Sequence, residues 1–229
     1  MATTQRKTNP PFVLLVHGLH MNGLYMRPLA KKLAQAGFDS HAPSYHSLTQ
    51  SIDKHSQRLH TWLSHHHDPT KPIHLVGHSL GGLVMRHFLA QYGNYWQIGR
   101  CVTLGTPHMG SICANYANRL LPPLVHKAYP NALDGVCVPP PNGVPFGVIA
   151  GTRSFGLGLP LLTYHNHRHH LDPTARTNDG TVYLSETTLP QASDYLVLPV
   201  SHTQLILDRH VANEVIHFLK YGKFSQTKN

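Results

Sequence analysis

Ser79 lies in Gly77-His78-Ser79-Leu80-Gly81, a G-x-S-x-G pentapeptide with an apolar run before it and a helix-periodic run after it. Ile73, Leu75 and Val76, bounded by Pro72 and Gly77, read as a short buried strand. Leu80, Leu83, Val84, Phe88 and Tyr92 then recur at helical spacing, so one face of a helix is expected to be buried. The pentapeptide is therefore a strand-to-helix corner, where Gly77 and Gly81 lack the Cβ atoms that would collide. Such a corner projects the serine hydroxyl from the carboxyl edge of a sheet. It also leaves the amide of Leu80, at the start of the helix, free to stabilise an anion. A serine hydroxyl is a poor nucleophile at neutral pH; it needs a base within hydrogen-bond reach, itself oriented by an acid.

The elements that must position these groups alternate along the chain. Phe12–Val16 reads as a buried strand leading into His17-Gly18-Leu19-His20. A helix follows, with Pro28 in its first turn, Leu29 and Leu33 inward and Gly37 as its stop. Residues 38–42 read as the next strand, and residues 51–65 as a helix with Ile52, Leu59, Trp62 and Leu63 on one face. Beyond the serine corner, residues 100–104, 144–150 and 195–200 read as strands, residues 181–184 as a short one, and residues 208–221 as a closing helix. This order predicts an α/β fold with a mostly parallel, doubly wound sheet flanked by helices. In such sheets ligands sit outside the carboxyl ends of the strands, where Ser79 and the His17-Gly18 turn both fall. No repeat or linker interrupts the chain, so residues 1–229 are expected to form a single domain, with an irregular stretch over residues 108–145.

Composition sets limits on the partners. Apolar residues make up 41% and charged residues 13%, which fits a compact globule. Nineteen Lys and Arg against ten Asp and Glu give +9 with histidine neutral. That charge suits peripheral contact with an anionic membrane surface or an acidic substrate, or it serves solubility alone. No run of like charges points to nucleic acid. Twenty-one histidines make the charge climb below about pH 6.5. Cys101 reads as a small core residue, and a Cys113–Cys137 bridge is open but unsupported. The run Phe12–Val16 is too short for a secretion signal and no segment reaches membrane-spanning length, so a cytoplasmic protein is the expectation.

Five stretches taken together carry a resemblance: LLVHGLH (residues 14–20), GHSLGG (77–82), LGTPHMGS (104–111), NDGTV (178–182) and SHTQLI (201–206). In this order they resemble the α/β-hydrolase superfamily, and within it the bacterial triacylglycerol lipase and esterase branch with the related inositol-deacylase-like proteins. The resemblance implies the α/β-hydrolase fold and a Ser, acid, His order of catalytic residues. The acids between Ser79 and the last strand are Asp134, Asp172, Asp179, Glu186 and Asp194. Asp179, in the tight turn Asn178-Asp179-Gly180, is the expected acid, with Asp172 in reserve. His202, just after the last strand, is the expected base, whereas His210 and His217 fall on the closing helix. By resemblance to lipases of the HG type, the backbone amide of Leu19 joins that of Leu80 as an oxyanion donor, and His78 packs beneath the serine. His165, His167, His169 and His170 would line one side of a strand, but no metal-site spacing accompanies them and no metal is expected.

The implied activity is hydrolysis of a small-molecule or lipid carboxylic ester through an acyl-serine, with no cofactor. Acyl transfer to an alcohol uses the same groups, and a non-catalytic binding protein would be expected to carry a broken triad. Residues 108–145, containing a short helix near residues 116–121, read equally as a small cap or a packed surface loop. Residues 156–162 are a second apolar candidate for the pocket wall. Oligomeric state has no signature in the sequence.

Overall fold

The computed structural model describes residues 10–141 and 143–225. Six strands form one sheet in the order β2-β1-β3-β4-β5-β6, with every neighbouring pair parallel. They are β1 (Phe12–Val16), β2 (Asp39–His41), β3 (Ile73–His78), β4 (Ile98–Leu104), β5 (Phe146–Gly151) and β6 (Asp194–Leu198). The helices are α1 (Arg27–Gln35), α2 (Ile52–His66), α3 (Leu80–Tyr92), α4 (Ile112–Leu120), α5 (Leu159–Arg168), α6 (Gln204–Leu207) and α7 (Arg209–Tyr221).

The central strands are apolar without interruption because both faces of the sheet are covered. Successive residues of β1 divide between two cores. Leu14 and Val16 join Leu75 and Val148 beneath α2 and α3, where Leu59, Leu63, Leu83 and Phe88 are buried. Val13 and Leu15 join Val76, Val102 and Ile149 on the other face, against Leu29 and Leu33 of α1 and Val215 and Phe218 of α7. The sheet therefore sits between two helical layers, with the carboxyl ends of its strands at one edge.

Several local expectations need correction. Helix α3 is buried from Leu80 through Arg86 and again at Phe88 and Leu89, so burial is not confined to one face of its first turns. Residues 181–184 make only an isolated bridge, Asn178 to Tyr183, because the amides of Thr181 and Val182 bond the Asp179 carboxylate instead of a neighbouring strand. Helix α4 begins at Ile112, capped by the Ser111 hydroxyl accepting from the Ala114 amide, four residues earlier than the sequence pattern suggested. His165 and His167 lie on α5, a helix rather than a strand, anchored by buried Leu162 and by the Tyr183 hydroxyl donating to the Leu162 carbonyl. All three cysteines are free, which removes the Cys113–Cys137 bridge. Among the described residues no helix is long and apolar enough to cross a membrane.

Besides His202, five histidines are buried among the described residues: His17, His55, His74, His78 and His108. Burial lowers the pKa of each, to about 4 for His55 and His74 and to about 3 for His78 and His108. The unfolded chain takes up protons near pH 6.5, before the folded one does, so stability is fully present above that pH and drains as pH falls toward 4. His55→Phe, which keeps an aromatic ring against Tyr45, should retain more of its stability on going from pH 7 to pH 5 than the wild type. Urea midpoints at the two pH values measure this, and parallel losses would refute it.

Candidate functional site

Ser79 is the residue on which β3 turns into α3, with φ 54° and ψ −126°. A non-glycine residue in this region costs about 1–3 kcal/mol and persists only where its surroundings impose it. Three glycines make room for it. A Cβ on Gly77 would lie 2.7 Å from Gly82, one on Gly81 would lie 2.1 Å from the Val16 carbonyl, and one on Gly82 would lie 2.1 Å from Thr106 Oγ1. Hydrogen bonds then fix the corner: Ser79 N–H donates to the Leu104 carbonyl (2.9 Å), while the Ser79 carbonyl accepts from Gly82 N (3.0 Å) and Thr106 Oγ1 (2.9 Å). The nucleophile candidate is thus held by β4 as well as by its own helix.

Asp179 and His202 meet on the neighbouring loops. Asp179 Oδ2 lies 2.6 Å from His202 Nδ1, and the aspartate is only 1% exposed. Its other oxygen accepts from Thr181 N (3.0 Å) and Val182 N (2.8 Å), and its carbonyl accepts from His202 N (2.8 Å). The carboxylate is held at both oxygens, and base and acid are also joined through the backbone. With Nδ1 committed to Asp179, Nε2 is the ring atom left for proton transfer. The other acids stand elsewhere: Asp134 accepts amides of its own turn, Asp172 is exposed, and Asp194 accepts the Tyr195 and Phe224 amides.

Ser79 and His202 both line a cavity of about 500 Å³, with apolar walls that include Leu19, Val125, Leu133, Leu161 and Ile206. Of the two residues expected as backbone donors, Leu19 lies on this wall and Leu80 is at the first position of α3. His78 is buried beneath them; its Nε2–H donates to the His202 carbonyl at 3.0 Å, and the two rings are 4.8 Å apart. Burial and the nearby His202 ring push its pKa down to about 3, so it remains a neutral donor. His17 stacks on Tyr45 at 3.9 Å, and the Tyr45 hydroxyl donates to the His17 carbonyl, fixing the turn that carries Leu19.

The supporting roles of three residues escaped the sequence reading, although Glu186 stood among the candidate acids. Gly105 ends β4 with φ 57°, and a Cβ there would lie 2.6 Å from Leu205 Cδ1 and 3.1 Å from both Asp179 Oδ2 and His202 Nδ1. Arg86, the one arginine or lysine in α3, is 5% exposed and brackets the segment that follows β4. Its guanidinium donates to the His108 carbonyl (3.1 Å) at one root and to the Cys137 (2.9 Å) and Val138 (2.8 Å) carbonyls at the other. A cation inside an otherwise apolar helical run was the signal available for it. Glu186 is buried with its pKa raised to about 7 by desolvation, and it accepts the amides of Ile112 and Tyr183, tying α4 to the Asp179 turn. Within the histidine-rich stretch, His165 Nδ1 lies 3.0 Å from the Tyr116 hydroxyl, and among the described residues no three His, Cys, Asp or Glu side chains are grouped to hold a metal.

A parallel sheet carrying a serine on a strained corner at its carboxyl edge defines an α/β hydrolase architecture. Residues 11–133 match the alpha/beta hydrolase fold family, and the chain belongs to it. No curated protein sequence matches the chain. Among solved structures, the mature lipase BlEst2 of Bacillus licheniformis is similar with a TM-score of 0.74 at 20% identity, over 96% of each chain. The metagenomic carboxyl esterase MGS0156 is similar at 0.67 and 14% identity, over 94% of this chain and 75% of that one. The NocB thioesterase domain from the nocardicin cluster is similar at 0.56 and 15% identity, over 93% and 95%. At such identities these likenesses establish the fold.

Gly105→Ala should push the acid and the base apart and strain the backbone at a positive φ. The expected result is loss of the low-field proton resonance of the His202–Asp179 hydrogen bond, with about 1–3 kcal/mol of destabilisation. An unchanged resonance would show that the pair does not depend on this gap.

Proposed function

We propose that the chain is a serine hydrolase of carboxylic esters acting through an acyl-enzyme on Ser79. The observation that supports this best is the buried 2.6 Å contact between Asp179 and His202, of which His202 lines one cavity with a serine on a strained corner. Ser79 Oγ attacks the ester carbonyl carbon while His202 Nε2 takes its proton, and Asp179 stabilises the imidazolium. The amides of Leu19 and Leu80 donate to the oxyanion of the tetrahedral intermediate, one such donor contributing about 3 kcal/mol in comparable sites. Collapse breaks the C–O bond, and His202 returns its proton to the leaving alcohol. Water then attacks the acyl-serine with His202 again as base, releasing the acid and restoring Ser79.

The apolar cavity favours an ester with a hydrocarbon part. Residues 108–138 act as its small cap, supplying Ala114, Val125 and Leu133 to the wall. Exposed Tyr25, Leu124 and Leu157 at the same cavity, together with the net +9 charge, support peripheral contact with an anionic lipid surface.

Hydrolysis of p-nitrophenyl esters of short, medium and long chains at pH 8 is the direct measurement. Ser79→Ala and His202→Ala should each lower kcat by about a thousandfold or more. Asp179→Asn should lower kcat by a large factor too, because the imidazole loses the partner that fixes its tautomer. Absence of both turnover and fluorophosphonate labelling of Ser79 would overturn the proposal. Transfer products exceeding hydrolysis in the presence of a competing alcohol would convert it to acyl transfer.

A further inference from the structure

A second cavity, of about 380 Å³, adjoins the first, and His20 and Met21 line both. Its chemistry is of another kind. Asn22, Ser44, His46, Ser47, Thr49 and Arg58 line it, and no lining residue is a carboxylate. The backbone occupies one acceptor site on each of three side chains. Asn22 Oδ1 accepts from Leu24 N (3.0 Å), Ser44 Oγ from Gly23 N (3.0 Å) and Ser47 Oγ from His20 N (3.1 Å). Each of those three groups still offers donors, one amide NH₂ and two hydroxyl protons. Arg58, exposed on α2, adds a permanent positive charge, and its guanidinium makes no ion pair among the described residues. The neighbouring acid on α2, Asp53, is turned to α3, where it bonds Gln91 and lies 3.3 Å from His87. Donors beside a positive charge, with no carboxylate in the lining, suit an anion.

We propose that this cavity is a subsite for an anionic group, phosphate or carboxylate, of the same ester whose apolar part lies beside Ser79. The inference rests on the ester-hydrolase reading and narrows its substrates to amphiphilic esters bearing a negative charge. The two cavities meet at His20, whose Nε2–H donates to the Leu124 carbonyl at 2.8 Å. The wall between them is therefore fixed to the segment that covers the first cavity. A ligand spanning both would lay its hydrocarbon against Leu19 and its charge against Arg58.

The test is binding of octyl phosphate, octanoate and 1-octanol, below their aggregation limits, to the Ser79→Ala protein by titration calorimetry, with inorganic phosphate as a fourth ligand. At least one of the two anions should bind about tenfold more tightly than octanol. That preference should fall toward parity with Arg58→Ala, reverse with Arg58→Glu and survive in Arg58→Lys. Preference for octyl phosphate would assign a phosphate group and preference for octanoate a carboxylate, and inorganic phosphate should compete with the favoured anion. Equal affinity for all three amphiphiles, or a preference that survives Arg58→Glu, would overturn the proposal. Should Arg58→Glu fail to fold, the contrast between Arg58→Ala and Arg58→Lys decides the same point. Binding to Ser79→Ala requires no turnover, so inactivity of the intact chain toward p-nitrophenyl butyrate would count against the ester reading alone.

Discussion

The packing of β3 against its own helix is the constraint on which the site depends. Three Cβ atoms are missing where β1, β3, α3 and the end of β4 converge, at Gly77, Gly81 and Gly82. Their absence lets α3 begin directly against the Val16 and His17 carbonyls, so the end of β1 and the start of α3 are placed by the same contact. The turn carrying Leu19 and the helix start carrying Leu80 therefore cannot move independently. The unfavourable φ of Ser79 is offset by hydrogen bonds to its own N–H and carbonyl, and none of them uses the hydroxyl. Strain falls on the backbone and the side chain stays available.

The Asp179–His202 pair is built at the other edge of the site by a different device. The Asp179 turn takes the place a short strand might have taken, spending the Thr181 and Val182 amides on one carboxylate oxygen so that the other faces His202. Gly105 supplies the space for that pair, as Gly151 does behind it, where a Cβ would lie 2.9 Å from Asp179 Cβ. His78 joins the two halves. It belongs to the serine corner yet holds the carbonyl of His202, and it does so as a neutral ring because burial keeps the proton count at one.

Most of the scaffold was legible because buried parallel strands are continuous apolar runs with few alternative uses. Phe12–Val16 matches its strand, and Leu29 and Leu33 face inward as their spacing required. The stretches that misled are those where tertiary bonds override propensity. Residues 181–184 contain Thr, Val, Tyr and Leu and look like a strand, but the Thr181 and Val182 amides serve Asp179, the Tyr183 amide serves Glu186 and the Tyr183 hydroxyl serves α5. Helix α5, with Pro160, Thr163 and three aromatic or imidazole side chains (Tyr164, His165 and His167) among its last five residues, has little intrinsic helical preference and is held by its neighbours. The Ser111 cap was visible in principle, as a hydroxyl residue one position before an apolar-periodic run. The partners of Arg86 were not visible, since they lie 22, 51 and 52 residues away in sequence.

That arginine has a consequence for how the molecule can vary. One side chain on the helix behind Ser79 closes the base of the segment between His108 and Val138, gripping three carbonyl groups and lying 3.3 Å from Nδ1 of the His108 ring. Between those roots Ala114, Val125, Ala128, Ala132 and Leu133 belong to the core, while Leu120, Leu121 and Val136 are exposed. Composition at the exposed positions can drift, or be exchanged by design, while the sheet, the corner and the Asp179–His202 pair keep their places. Diversification of the cavity wall would then proceed between two ends that one arginine ties to the same helix.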